Sequence, residues 1–320
     1  MTPPVSSNQI ISSVAAFTPA WDRMVTLLFK PFDLGRWLRI GLCAFLATLG
    51  EMGAGGSGSG TNRSGSSRSG IFPQGFSEVE SQAKRYLFEN LAWIIPLIVF
   101  VVVVGLALTV LILWLRSRGQ FMFLDNVATG RADVKRPWHE NRMLGNNLFW
   151  FRLGLTVLTS LGALMLFGGG AMIGLPMLRA GEVNAGGVMA LVFLGFVFAG
   201  LMLVSLVIGK LTTDFVVPVM WLRGTDWRAG WGEVGELLKA RPGNFLLYLL
   251  FLILLSIVWG VVLIAVVLLT CCVAGCLLAI PYVGSVLLLP MTVFFRAFSL
   301  SFLAQFGPSW DVFQAPVPNG

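Results

Sequence analysis

Lys210 and Asp214 stand four residues apart at the edge of a long apolar run. On a helix that spacing puts opposite charges on one face. There they serve either as an ion or proton relay within a membrane or as a salt bridge at its surface. Arg296 lies further inside an apolar stretch, VFFRAFSLSF. An arginine at such a position is costly unless it is paired or its long side chain reaches the polar surface. The expectation is therefore either anchoring at the cytoplasmic face or contact with a lipid phosphate or other anion, with Asp214 or Asp125 as partner. Arg296, Lys210, Asp214 and Asp125 are the candidate polar, anion or lipid contacts.

Other chemistry finds little to work with. His139 is the only histidine, which removes most imidazole metal sites and catalytic triads, and beside Trp138 and Glu140 it reads as a solvated residue at headgroup level. Asp125, Asp133 and Glu140 have no fixed separation that would make an acid–base pair. The four cysteines, Cys43, Cys271, Cys272 and Cys276, lie in or beside apolar segments and do not form a secreted disulfide framework. The last three read as small buried residues, with a disulfide as the alternative; they are too few for a zinc site, which takes about four ligands. The stretch GAGGSGSGTNRSGSSRSG within residues 51–76 lacks the Gly-Lys-Ser/Thr ending of a phosphate loop and reads as a flexible linker. Ser77 with Glu80 makes a capping box for a following helix. No catalytic residue, cofactor or metal is expected.

The elements that must position these residues are membrane helices. Hydrophobic residues make up 56% of the 320 positions and charged residues 12%, against about 25% charged in soluble domains. The reading is an all-α membrane protein, a single polytopic domain with six transmembrane helices at about 38–50, 93–115, 148–175, 188–208, 245–269 and 277–302, the last containing Pro281 and Pro290. A tail, 305–320, follows. The first run is short for a span of roughly 20 residues, and the long stretch before it argues against a cleaved signal peptide. Of the 22 Lys and Arg residues, 16 fall in the N-terminal stretch, the second loop with Arg152 at its edge, and the fourth loop. The positive-inside rule then places both termini in the cytoplasm. Arg131, Lys135, Arg136 and Arg142 would attract anionic lipid headgroups there. Because topology already accounts for these charges, nucleic acid is not an expected partner. Gly170 and Gly174 form a Gly-x-x-x-Gly step for close helix packing, within the bundle or across an oligomer.

Two stretches are amphipathic. Val14, Phe17, Trp21, Met24, Val25 and Leu28 share a helical face, with Asp22, Arg23 and Thr26 facing away. A second helix from near Asp226 puts Trp227, Trp231, Val234 and Leu238 on one face. A third segment, around Trp138, has weaker spacing. Phe121 to Phe123 matches Phe215 to Val217, and Gly130 matches Gly224. These matches predict three pseudo-repeats at 14–115, 121–210 and 215–304, each an interfacial helix followed by two spans. Trp21, Trp138 and Trp231 are their interfacial anchors.

The segments FKPFDLGRW (29–37), GQFMFLDN (119–126) and PYVGS (281–285) resemble an uncharacterised family of bacterial multi-pass membrane proteins, over nearly the whole chain. The unit pattern is also similar in architecture to the membrane domain fused to some glycerophosphodiester phosphodiesterases. Neither resemblance carries an established activity to transfer, and the phosphodiesterase barrel itself is absent. The expected protein is a non-enzymatic component of the bacterial inner membrane, a scaffold holding lipid or a protein partner, itself included as a homo-oligomer. The alternative is a transporter or channel for a small or lipidic substrate.

Overall fold

The computed structural model describes residues 12–49, 91–180, 184–270 and 273–314. Among them every regular element is helical. Helix α1 is Phe17–Phe29 and α2 is Leu34–Thr48. The long helices are α3, Leu91–Thr129, α5, Arg142–Ala180, and α6, Ala185–Leu211, with the short α4, Lys135–Glu140, before α5. A π-turn, Thr212–Val216, carries α6 into α7, Val217–Arg223. Then come α8, Trp227–Ala240, and α9, Pro242–Leu269. Three shorter helices close the chain: α10, Val273–Ala279, α11, Pro281–Leu287, and α12, Leu289–Ala304. The linker 51–76, the Ser77–Glu80 box, Cys271, Cys272 and residues 315–320 lie outside the described residues.

Among the described residues four helices are long and apolar enough to cross a membrane, Ile95–Thr129, Arg142–Met177, Ala185–Arg223 and Pro242–Leu269. A fifth is added if α11 and α12 count as one span, although they bend by 60°. The bend falls at prolines. Pro281 opens α11, and Pro290 sits in the first turn of α12, positions that lack a helical donor and tolerate proline. The expected unbroken helix at 277–302 is therefore three pieces. At 15 residues, α2 is about 22 Å long against the roughly 30 Å of hydrocarbon, so it falls short of a span.

Both ends of the expected loop 116–147 are helix instead. Residues after Leu115 continue α3 to Thr129, and Phe121, Met122, Leu124 and Val127 are fully buried. The charges of Arg116 and Arg118 look like the end of a span, but the apolar face beyond them belongs to the core. Likewise α5 begins at Arg142. The chain divides into two compact units, residues 50–113 and the remainder. In the first, α3 from Ile95 to Leu111 is exposed almost throughout. In the larger unit α1 and α2 pack on α12, α2 on α11, α5 on α6, and α8 on α7 and the π-turn. A Cβ added at Gly170 or Gly174 would lie 3.6–3.9 Å from Leu191 or Leu194 of α6, so this step packs within the helical hairpin.

The core holds Phe215, Phe245, Tyr248, Phe298 and Phe302, whose rings contact one another at 4.7–6.0 Å between centroids. It collects at the charged ends of the long helices, whereas the most apolar windows of α5 and α6 are entirely unburied.

Three segments share a Phe-to-Gly spacing: Gly130 and Gly224 directly follow α3 and α7, whereas α12 ends at Ala304, before Gly307. Phe121, Phe215 and Phe298 are fully buried, and each is followed nine residues later by a glycine, Gly130, Gly224 and Gly307. These glycines have φ of 72°, 64° and 134°, and they are the positive-φ glycines among the described residues. A glycine without Cβ stops a helix at such an angle without the steric penalty other residues meet. At the first of these ends Arg23 donates to the carbonyls of Val127, at 2.9 Å, and Ala128, and Arg36 donates to that of Gly130. Arg23 was expected to face away from the apolar side of α1; it turns inward because α3 ends there with unpaired carbonyls. Burial, and then the neighbouring Arg36 charge, push its guanidinium down from its ordinary value.

Candidate functional site

The polar centre is built around the π-turn. Proline at position 218 has no N–H to give the carbonyl four residues earlier, and in an α-helix its ring would clash with that group. That group belongs to Asp214, inside the π-turn. Widening the helix there relieves the clash and turns Thr213 and Asp214 toward the neighbouring helices. Such π-turns frequently mark functional positions.

Thr213 is the hub. Its hydroxyl oxygen accepts from Gln120 Nε2 of α3 at 3.4 Å and from Arg152 Nη2 of α5 at 3.2 Å. Its carbonyl accepts from Arg296 Nη1 of α12. The next residue, Asp214, is 4% exposed. Its Oδ2 accepts from Lys210 Nζ at 3.1 Å and from the Tyr248 hydroxyl of α9 at 2.9 Å. The Tyr248 ring is stacked on Phe298 at 5.6 Å, which fixes its direction. Ser299, fully buried, donates to the Arg296 carbonyl at 2.9 Å.

The three buried phenylalanines show how the site arises. The residues two places before them are Gly119, Thr213 and Arg296, and those one place before are Gln120, Asp214 and Ala297. Corresponding turns of α3, the π-turn and α12 thus meet at Thr213. Gly119 fills its place with nothing because α2 passes there: an added Cβ would lie 2.6 Å from the Leu46 carbonyl carbon.

Of the candidate contacts, Lys210, Asp214 and Arg296 come together. Lys210 and Asp214 form the salt bridge, and Asp214 is close enough to Arg296 to act on it electrostatically. Arg296 is not extended to the membrane surface. It is 6% exposed, because the Thr213 carbonyl, left over by the π-turn, is a nearer acceptor than water. Asp125 is not its partner. That residue is buried elsewhere on α3. The tryptophans differ from one another. Trp21 is 43% exposed and leans on Phe294, while the buried side of α1 is Ala20, Met24, Leu27 and Leu28. Trp138 stands edge-on to Trp114 with the Arg118 guanidinium over both rings. Trp231 and Trp227 pack against Phe151, so the greasy face of α8 meets protein. Cys276 is exposed and free, Cys43 buried and free. His139 is exposed.

Sequence reading missed Thr213, Gln120, Arg152 and Tyr248 as members of one site. The available signal was the third Phe-to-Gly spacing, from Phe298 to Gly307, which puts Arg296 and Thr213 in one register. Among the described residues no group of His, Cys, Asp and Glu could hold a metal ion.

No curated protein and no solved structure matches the chain, so the likeness to phosphodiesterase membrane domains has no match behind it. A family model does match residues 11–289, ending just as α12 begins, and by that match the chain belongs to a family of unknown function (DUF7544).

Proposed function

We propose that the protein is a non-enzymatic integral membrane scaffold that gathers anionic lipid headgroups, or a partner with an acidic surface, on a basic cytoplasmic face. The observation that carries this reading is the position of the core. It sits at the charged ends of the long helices, and the apolar windows beyond it are left to the surroundings. Exposed Arg131, Lys135 and Arg142 lie at that same end, around α4. The proposal includes three related units, each an amphipathic helix, an outgoing helix and a return helix closed by Phe and Gly nine residues apart. The Phe-to-Gly spacings shift the unit boundaries: Gly130, Gly224 and Gly307 close units, where the sequence reading let the segments from Phe121 and Phe215 open them. Ser12 and Gln305 support both ends of the chain lying on one side, since Ser12 N donates to Gln305 Oε1 at 2.8 Å and Gln305 Nε2 donates back to the Ser12 carbonyl at 3.1 Å.

The test is lipid selection. In nanodiscs assembled from mixed phosphatidylglycerol and phosphatidylcholine, the protein should enrich the anionic lipid. Each exposed cation contributes about 1 kcal/mol to such attraction, so R131Q/K135Q/R142Q should lose most of the enrichment. A shell with the bulk composition for the unaltered protein sinks the reading.

A second reading, transport of a small or lipidic anion, is favoured by one observation: a charged centre at a π-turn within helices long enough to span. Flux through proteoliposomes no faster than through empty liposomes would remove it.

A further inference from the structure

The polar centre gathers Lys210 and Arg296 around Thr213 and Asp214. Asp214 Oδ2 is shared between Lys210 and the Tyr248 hydroxyl. Arg152 donates to the Thr213 hydroxyl, and Arg296 to the Thr213 carbonyl. Arg296 uses only part of its fork. Its Nη1 is bonded, while Nε and Nη2 are buried and meet no acceptor. Nε and Nη2 form the edge of a guanidinium that grips two oxygens of one oxyanion. Buried donors of a charged group are left without acceptors only at considerable cost.

We propose that this centre binds an oxyanion of the phosphate class, gripped by the Nε and Nη2 edge of Arg296, with Lys210 supplying further charge. Lys210, with 40% of its side chain exposed, and half-buried Thr213 are the parts of the cluster that reach the surface, and they give the anion its way in. This site is separate from the exposed cations around α4 and stands whether or not that surface selects lipids. A phospholipid headgroup and a free inorganic anion share the required chemistry.

The full chain, purified in detergent, separates the two sources. Inorganic phosphate is titrated against chloride at equal ionic strength, and native mass spectrometry looks for phospholipid that survives delipidation. A free anion predicts a saturable rise in melting temperature with phosphate over chloride, about 2–4 °C. A lipid source predicts a retained phospholipid mass. In Arg296→Gln the phosphate response or the retained lipid should disappear. If that variant does not fold, Lys210→Gln, altered where the cluster reaches the surface, should weaken the same signal several-fold. Absence of both signals from the unaltered protein overturns the proposal, as does a signal that both variants leave unchanged.

Discussion

Asp214 and Tyr248 are unequal partners in one hydrogen bond. Replacing Tyr248 by Phe keeps the ring stack with Phe298 and removes only the donor at 2.9 Å. The carboxylate still has Lys210, so the loss is about 1.5–3 kcal/mol, the range for a bond to a charged group. Asp214→Ala removes the acid beside Lys210 and Arg296 and should cost about 3–5 kcal/mol, as breaking a buried pair does, less whatever the partly exposed Lys210 recovers from solvent. Thermal unfolding in detergent should rank Asp214→Ala well below Tyr248→Phe. Equal losses would mean that Asp214 serves mainly as the acceptor for Tyr248 and that the cations do not depend on it. The Lys210–Asp214 pair was legible from its i, i+4 spacing. Its third member was not, because Tyr248 is 34 residues away and nothing local in the sequence aims one at the other.

The helix ends were the least legible elements. An apolar run announces the middle of a span, and all four long helices fall where such runs predict them. The charges Arg116 and Arg118 suggest a stop, yet α3 runs through them, and α5 already begins at Arg142; the turns of α3 beyond Arg118 are buried in the core. What does mark a stop is glycine. Two glycines, one at a stop and one inside α3, allow a direct comparison. Gly224 has φ 64° and open space around its Cα, so Gly224→Ala carries only the conformational penalty, about 1–2 kcal/mol. Gly119 is ordinary helix, but its Cβ would run into the α2 backbone 2.6 Å away. A backbone cannot step aside as a flexible side chain does. Gly119→Ala should therefore cost more than Gly224→Ala, by melting temperature or by urea titration, although helix propensity alone favours alanine. The reverse order would show that α2 can yield at Leu46.

At the scale of the molecule, the sequence established a helical membrane protein and the side on which charge accumulates. It did not establish six spans, since α2 is 15 residues long and the last apolar stretch is broken at its prolines. Sidedness can be read directly from two exposed positions, His139 on α4 and Ala185 at the start of α6. They lie at opposite ends of α5, 39 residues long, about 58 Å of helix. In a background without reactive native thiols, an impermeant maleimide added outside intact cells should label Ala185→Cys and spare His139→Cys until the membrane is opened. Labelling of His139→Cys from outside would reverse the proposed orientation.

The uneven burial of α5, α6 and α9 has a further consequence for how the protein breathes. Phe245 and Tyr248 at the start of α9 are fully enclosed, while Ile264 is 60% and Leu269 is 86% exposed. Packing among several helices secures one end of these helices; toward the other end α5 and α6 pack on each other, and α9 is largely exposed. A thin or loosely ordered detergent shell should let the unsecured turns fray while the enclosed ones hold, because local opening follows local contact density. Backbone deuterium uptake in short-chain detergent should climb along α9 from Tyr248 toward Leu269, and the slope should flatten when the protein is returned to a bilayer. The lipid then acts as the missing half of the interior, and the resting stability of this chain belongs jointly to the protein and to the membrane it occupies.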